Sequence, residues 1–326
     1  MKSRTAVIAS VVTTALVCAT CATSVHAQLP ALTIKDSSAF NHQYNGDVLL
    51  AGDNLPNYFP DEPFDLQPPT TDGDILTYQS SGPSAGADWN SSQWNTDVSY
   101  TSGWTIDVRM KVGTESPGAT RSFNIFAGDG GSYGFFSINQ NTFGDFVSQT
   151  AYAVEDNSTA FHNFRFAKEA ASETIDVWRD NVFYGTMNGV SSGAVAMWFG
   201  DGTGAGGGPT IQIDHFRWDS SGAYAPTGQV LNIAGDLNHD GAVNLTDYGV
   251  LTGHWLQAVV GASSGDLNGD GTVDISDFAM FKSDYIAANG GNGNELAAVP
   301  EPSTILLTLG VLPACYFVGR RRCRKN

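Results

Sequence analysis

The chain has 326 residues, room for about two domains at roughly 150 residues each, and its 37 glycines and 13 prolines fall below the ~25–30% that marks low-complexity sequence. Charged residues make up only 15%, against ~25% in ordinary soluble domains, so Ser, Thr, Asn and Gly must supply the polar surface. A formal net charge of -17 excludes nucleic acid as a partner class.

The N-terminus reads as an address. Lys2 and Arg4 precede an apolar stretch from Thr5 to Cys21, and Val25-His26-Ala27 puts small residues at positions −3 and −1 of a cleavage site. The pattern predicts a secretory signal peptide over 1–27, cut before Gln28. The four cysteines, Cys18, Cys21, Cys315 and Cys323, all lie in the two ends, which leaves the middle of the chain without disulfide or thiol chemistry.

From Gln28 to about Pro226 there is no sustained helical period. Residues 28–75 form an extra N-terminal segment whose pairing the pattern does not define. Trp89 and Trp94 lie among polar residues in Asp88-Trp89-Asn90-Ser91-Ser92-Gln93-Trp94-Asn95, and sugar recognition needs aromatic rings outside the core. They are the candidate ligand-binding pair. Trp104, Ile106, Val108, Met110 and Val112 then alternate with Thr105, Asp107, Arg109 and Lys111, the period of a half-buried strand. Further strands are expected at 123–126, 134–138, 161–166, 174–178, 182–186, 194–199 and 210–218, with a turn at Arg179-Asp180-Asn181. Many short strands separated by turn signals predict an antiparallel β-sandwich.

Three segments carry a resemblance: Phe161-His162-Asn163-Phe164-Arg165-Phe166, Ile175-Asp176-Val177-Trp178-Arg179-Asp180-Asn181 and Ile213-Asp214-His215-Phe216-Arg217-Trp218. Together, over roughly 75–225, they resemble the concanavalin A-like (LamG-like) jelly roll. The resemblance implies binding of carbohydrate or another ligand, or glycosidase activity. Glycoside hydrolysis needs two carboxyl groups ~5–9.5 Å apart, and glucanases of this fold carry Glu-x-Asp-x-x-Glu on one strand. No such run occurs, and Glu62, Glu115, Glu155, Glu169 and Glu173 are the only glutamates of the region. Asp107, Asp176 and Asp214 read as structural hydrogen-bond acceptors, and His162 and His215 as packing residues. No catalytic residue is assigned, and the reading leans away from an enzyme.

Two segments 30 residues apart repeat each other. Residues 236–247 read Asp-Leu-Asn-His-Asp-Gly-Ala-Val-Asn-Leu-Thr-Asp, and residues 266–277 read Asp-Leu-Asn-Gly-Asp-Gly-Thr-Val-Asp-Ile-Ser-Asp. Each matches a twelve-residue calcium loop, because calcium takes six to eight hard oxygens and alternate positions of a tightly wound loop can point inward together. The ligand set is Asp236, Asn238, Asp240, the carbonyl of Ala242, Asn244 and Asp247 in the first loop. In the second it is Asp266, Asn268, Asp270, the carbonyl of Thr272, Asp274 and Asp277. Two calcium ions are expected. After each loop, Leu245, Tyr248, Leu251 and Trp255, or Ile275, Phe278, Phe281 and Tyr285, share one spacing and predict an apolar helix face. No helix of the EF-hand kind precedes either loop. Asp at position 12, the missing entering helix and the two copies over about 235–287 resemble a dockerin module. The resemblance implies a cohesin-like partner. The pairs Leu245-Thr246 and Ile275-Ser276 stand where cellulosomal dockerins commonly carry Ser-Thr for that contact.

The C-terminus reads Val299-Pro300-Glu301-Pro302-Ser303, an apolar run to Val318 and a basic cluster from Arg320 to Lys325. The run is shorter than the ~20 residues of a normal span, and the cluster would stay cytoplasmic. This order, with Pro300, Glu301 and Pro302 as the motif, resembles the PEP-CTERM sorting signal. It implies cutting by an exosortase-type membrane protease and delivery to the cell surface or extracellular matrix. Membrane contact is then transient and only through this helix; the alternative is a permanent tail anchor.

The expected fold class is mainly β: an antiparallel sandwich (jelly roll), then a small α-helical dockerin-like module with two EF-hand-type loops. The expected division is signal peptide 1–27, sandwich 28–225, linker 226–234, calcium module 235–287, linker 288–298 and sorting signal 299–326. The expected function is that of a secreted, surface-sorted calcium-binding protein whose noncatalytic sandwich binds or adheres to polysaccharide. The alternatives are a glycoside hydrolase or accessory component of a polysaccharide-degrading complex, and a structural matrix protein.

Overall fold

Strict alternation builds the centre of the fold. On Trp104–Val112 the side chains of Trp104, Ile106, Val108, Met110 and Val112 are all buried on one face, as period two requires of a strand with one face on a core. The computed structural model describes residues 28–46, 57–60, 70–79, 87–91, 93–115, 122–148, 150–200 and 209–291. The expected signal peptide, 1–27, and the expected sorting segment with Pro300, Glu301 and Pro302 lie outside the described residues.

Two large sheets face each other, and the chain is mainly β. The first runs in the order Val230–Leu231, Val182–Asn188, Thr174–Arg179, His162–Lys168, Trp104–Val112, Thr210–Asp219, Ile75–Gln79, Thr70–Asp72. The second runs Thr150–Val154, Thr142–Asp145, Ser132–Ile138, Phe123–Asp129, Val195–Gly200, Ala87–Asn90, Asn57–Pro60. Neighbours are antiparallel except at the edge, where Val182–Phe183 pairs in parallel with Val230–Leu231. Between the sheets lie Trp94, Phe123, Ile125, Phe136, Phe164, Phe199, Phe216 and Trp218 among others. Asp180 and Asn181 both have positive φ (50° and 68°), the conformation of a tight two-residue hairpin turn.

Segments whose pairing was undefined in the sequence join the first sheet or form a small parallel pair beside it. His42–Tyr44 pairs with Phe216–Trp218, Ile75–Gln79 with Thr210–Ile213, and Thr33–Ile34 lies parallel to Tyr224–Ala225. These residues explain why Thr105 and Asp107, on the expected solvent face, are buried. The hydroxyl of Thr105 donates to the carbonyl of Gly222 (2.9 Å) and accepts from the N–H of Tyr224 (2.8 Å). Asp107 accepts from Arg165 Nε at 2.7 Å and lies 2.9 Å from His215 Nε2. Burial opposes its charge, but the His215 hydrogen bond and the Arg165 guanidinium hold its carboxyl below the ordinary value. Asp176 accepts from Thr186 Oγ1 at 2.6 Å, and Asp214 pairs with Arg109. The expected linker 226–234 is likewise tied down, since Leu231 packs with Ala167, Trp178, Phe183 and Ala225.

Trp94 corrects an expectation. Far from offering a ring to a sugar, it is fully buried, its Nε1 donates to the carbonyl of Gly128 (2.7 Å), and it packs against Trp104 and Trp218. The polar residues around it mislead because Trp94–Asp97 is a single helical turn that turns Asn95, Thr96 and Asp97 to solvent. Trp89 stands opposite Phe199 and Tyr58 in the ladder; its side chain lies outside the described residues.

The C-terminal segment has its own core of Leu237, Val243, Tyr248, Leu251, Val273, Phe278, Phe281 and Tyr285. Its helices are Leu245–Gly253 and Ile275–Ala288. Of the two predicted apolar faces, the first member of each fails: Leu245 is 44% and Ile275 51% exposed. Each is the first residue after its N-cap, one turn short of the contact between the helices. Trp255 lies beyond the end of its helix and is half-buried. This segment touches the sandwich at Glu155, which forms a β-bridge with Gly261 and accepts a hydrogen bond from Ser263 Oγ at 2.8 Å. A Cβ at Gly261 would fall 2.5 Å from Glu155 Oε2, so this close approach needs glycine. No helix among the described residues is long and apolar enough to cross a membrane.

Candidate metal centre

The two repeated loops fold by the same hydrogen bonds. Asp236 accepts from the N–H of Asp240 (3.1 Å) and of Gly241 (2.8 Å). Asp266 accepts from Asp270 (3.1 Å) and Gly271 (3.0 Å). Gly241 and Gly271 have φ of 90° and 87°, which allows the loop to turn back beneath the first aspartate. Asn238 and Asn268 each accept from the N–H two residues on and donate Nδ2 to the carboxylate of Asp240 or Asp270 at 3.0 Å. Asp240 and Asp270 also accept from the N–H of Ala242 and Thr272.

The helix that follows each loop begins on a capping box. Asn244 accepts from the N–H of Thr246 (2.7 Å), and Asp274 from that of Ser276 (2.7 Å). The reciprocal partners are Asp247 and Asp277, whose Oδ2 atoms accept from the N–H of Asn244 and Asp274 (2.8 Å each). Their Oδ1 atoms reach back to the start of the loop, accepting from Leu237 and Asn238, and from Leu267 and Asn268. Position 12 therefore ties the two ends of each loop together. The spacing of acidic residues contained no signal for this bracing role. A second unforeseen feature is position 4, where His239 (φ 56°) and Gly269 (φ 72°) are both left-handed.

Asp236, Asp247, Asp266 and Asp277 are all buried. Among the described residues no lysine or arginine pairs with any of them. Burial pushes the carboxyls of Asp236 and Asp266 above their ordinary value; backbone donors oppose this, and the charges of Asp247 and Asp277 add to it. Buried carboxylates are normally paired or bound to metal. Among the described residues no three His, Cys, Asp or Glu side chains form a metal cage by themselves. What each loop's sequence offers instead is a mixed set of hard oxygens: carboxylates, the amide oxygen of Asn238 or Asn268, and the carbonyl of Ala242 or Thr272. That donor chemistry fits calcium rather than a soft transition metal.

Residues 234–284 match the family Dockerin type I domain. No curated protein matches the chain. Among solved structures, a conserved carbohydrate esterase from the Shiga toxin-encoding bacteriophage phi24B is 13% identical, with 54% of this chain and 96% of that one covered at a TM-score of 0.41. Cellulose induced protein, Cip1, is 11% identical, covering 52% and 88%, at a TM-score of 0.35. The binding domain of Paraclostridial Mosquitocidal Protein 1 is 10% identical, covering 57% and 50%, at 0.38. Similarities this remote carry no inference about what the chain does.

Proposed function

We propose that the C-terminal module, residues 235–287, holds two calcium ions and attaches a polysaccharide-directed sandwich, residues 28–225, to a cohesin-like partner outside the cell. The single observation that carries the metal reading is the set of four buried aspartates that no lysine or arginine among the described residues pairs with. The first ion would be held by Asp236, Asn238, Asp240, Asp247 and the carbonyl of Ala242, with Asn244 acting through water. The second would be held by Asp266, Asn268, Asp270, Asp277 and the carbonyl of Thr272, with Asp274 at the water-mediated position. Calcium neutralises the loop and fixes the helix that follows it; it supplies no reaction chemistry here.

The second loop carries four carboxylates to the first loop's three, and ligand charge tunes calcium affinity. Calorimetric titration of the full chain after chelator treatment should show two ions, the tighter in the second loop. Asp266→Ala should leave one, and should remove the tighter. No calcium binding by the intact chain would overturn the proposal. The exposure of Leu245 and Ile275, the residues at position 10 of the loops, supports their use as contacts for the partner. They would make that contact more apolar than a Ser-Thr pair does.

The proposal extends to the ends of the chain. The motif Pro300-Glu301-Pro302, followed by an apolar run and basic cluster, supports removal of the tail by an exosortase-type protease and delivery to the surface or matrix. Intact-mass measurement of protein from its native host should find a product lacking Arg320–Asn326. A mass that retains them would leave a permanent anchor.

A further inference from the structure

One short segment, residues 258–263, touches both the second repeated loop and the sandwich. On the loop side Ala258 forms a β-bridge with Thr272, and the N–H of Val259 donates to the carbonyl of Gly271 at 3.2 Å. The N–H of Asp266 donates to the carbonyl of Gly261, also at 3.2 Å. These three partners are positions 7, 6 and 1 of the loop. On the sandwich side Gly261 bridges to Glu155, and Ser263 Oγ donates to Glu155 Oε2 at 2.8 Å. The first loop also abuts the sandwich, since Asn238 and His239 line one cleft with Arg179, Asp180 and Tyr184. The chain enters the module on a short tether. The N–H of Asn232 is still bonded to the carbonyl of Phe183 (3.2 Å), and Asp236, position 1 of the first loop, donates its N–H to the carbonyl of Ile233 (3.0 Å).

The contact at Glu155 is poised between holding and release. Glu155 is 2% exposed, and among the described residues no lysine or arginine pairs with it. Burying a carboxylate without a cation costs free energy that a neutral donor such as the Ser263 hydroxyl only partly offsets. Opening the contact returns Glu155 to water and recovers that cost. Seating therefore depends on Gly261 and Ser263 being presented in one fixed geometry. The tolerance is small, because a Cβ at Gly261 would fall 3.1 Å from Glu155 Cα as well as against its carboxylate.

We infer that the second loop is a calcium-dependent latch: filled, it holds segment 258–263 against Glu155 and locks the module to the sandwich; empty, it lets the module swing about residues 233–235. The inference rests on the calcium reading above and assigns the ion an effect beyond its own module. Calcium fixes Asp266 and the carbonyl of Thr272. Asp266 and Thr272 in turn hold Gly261 and Ala258, and Gly261 seats on Glu155. An empty loop leaves the buried carboxylates of Asp266 and Asp277 to repel each other and loosens all three anchors of the segment together. Coupling of this kind needs one element whose two arrangements are biased from both ends, and segment 258–263 is that element. A partner bound to the module is then held in one orientation to the sandwich only while calcium is present.

The test is carbodiimide labelling of carboxylates in the full chain, scored by peptide mass, with calcium and after the calcium has been stripped and the chelator removed. Glu155 should label about tenfold faster or more in the stripped chain, as a group exposed by local opening does, and restored calcium should protect it again. The exposed Glu169 and Glu173 should label alike in both states, and Asp107, buried within the sandwich, should stay protected in both. Gly261→Val should expose Glu155 even with saturating calcium, while the wild-type comparison stands whether or not that variant folds. Glu155 that stays protected after a bound ion is stripped would overturn the latch and spare the calcium reading. Glu155 that labels fast in both states would show a module that never seats, and would overturn the latch as well. No calcium binding by the chain would overturn both.

Discussion

Chelation of the full chain should abolish most of its helical circular dichroism at 222 nm, and added calcium should restore it. The helices Leu245–Gly253 and Ile275–Ala288 supply nearly all the α-helix of the described residues, so this signal reports on the module. Its core contains only eight buried apolar side chains, and a unit of this size is marginal on burial alone. Against that small gain stand four buried aspartates whose charges repel one another within each loop. Free calcium at a hundredfold excess over its dissociation constant stabilises the folded form by ~2.7 kcal/mol for each ion. Its removal should therefore lower the melting temperature of the module by about 10 °C or more. The sandwich meets the module at Glu155 through a β-bridge and a hydrogen bond, so its own transition should move far less than that of the module. Equal helicity with and without chelator would show that the loops stand on hydrogen bonds alone, with the bracing of Asp247 and Asp277 sufficient in itself.

Lys168→Met should destabilise the sandwich by ~3–5 kcal/mol, independently of calcium. Lys168 is wholly buried, and its ammonium lies 2.6 Å from Asp129 Oδ2, also wholly buried. The same oxygen accepts from Trp104 Nε1 at 3.3 Å, while Oδ1 accepts from the N–H groups of Gly131 and Ser132. Methionine preserves most of the side-chain volume, so the loss isolates the charge: Asp129 would remain buried as an anion without its cation. Adding Asp129→Asn should recover much of the loss, because two uncharged groups carry no such penalty. Urea denaturation followed by tryptophan fluorescence measures both. A loss below about 1 kcal/mol for the single variant would mean that water reaches the pair.

The sequence by itself determined whatever depends on neighbours along the chain. Each repeated loop has its candidate ligand oxygens within twelve residues, and its turn depends on one glycine, so both loops could be located by spacing. The strand Trp104–Val112 was equally legible, because alternation is a local consequence of the pleat.

Only the tertiary structure decided what depends on partners distant in sequence. Trp94 has polar neighbours in the chain but core neighbours in space, since Trp104, Gly128 and Trp218 come from three other segments. His42–Tyr44 found its place on Phe216–Trp218, a pairing that no local pattern encodes. Leu245 and Ile275 have the right spacing for a core face, yet the inter-helix contact begins one turn later. The rings of Phe126, Phe135 and Trp198 meet on the outer side of the second sheet, across three neighbouring strands. In each strand they take alternate positions, but the opposite positions are also apolar, so hydrophobic alternation vanishes and only strand pairing reveals which rings face outward.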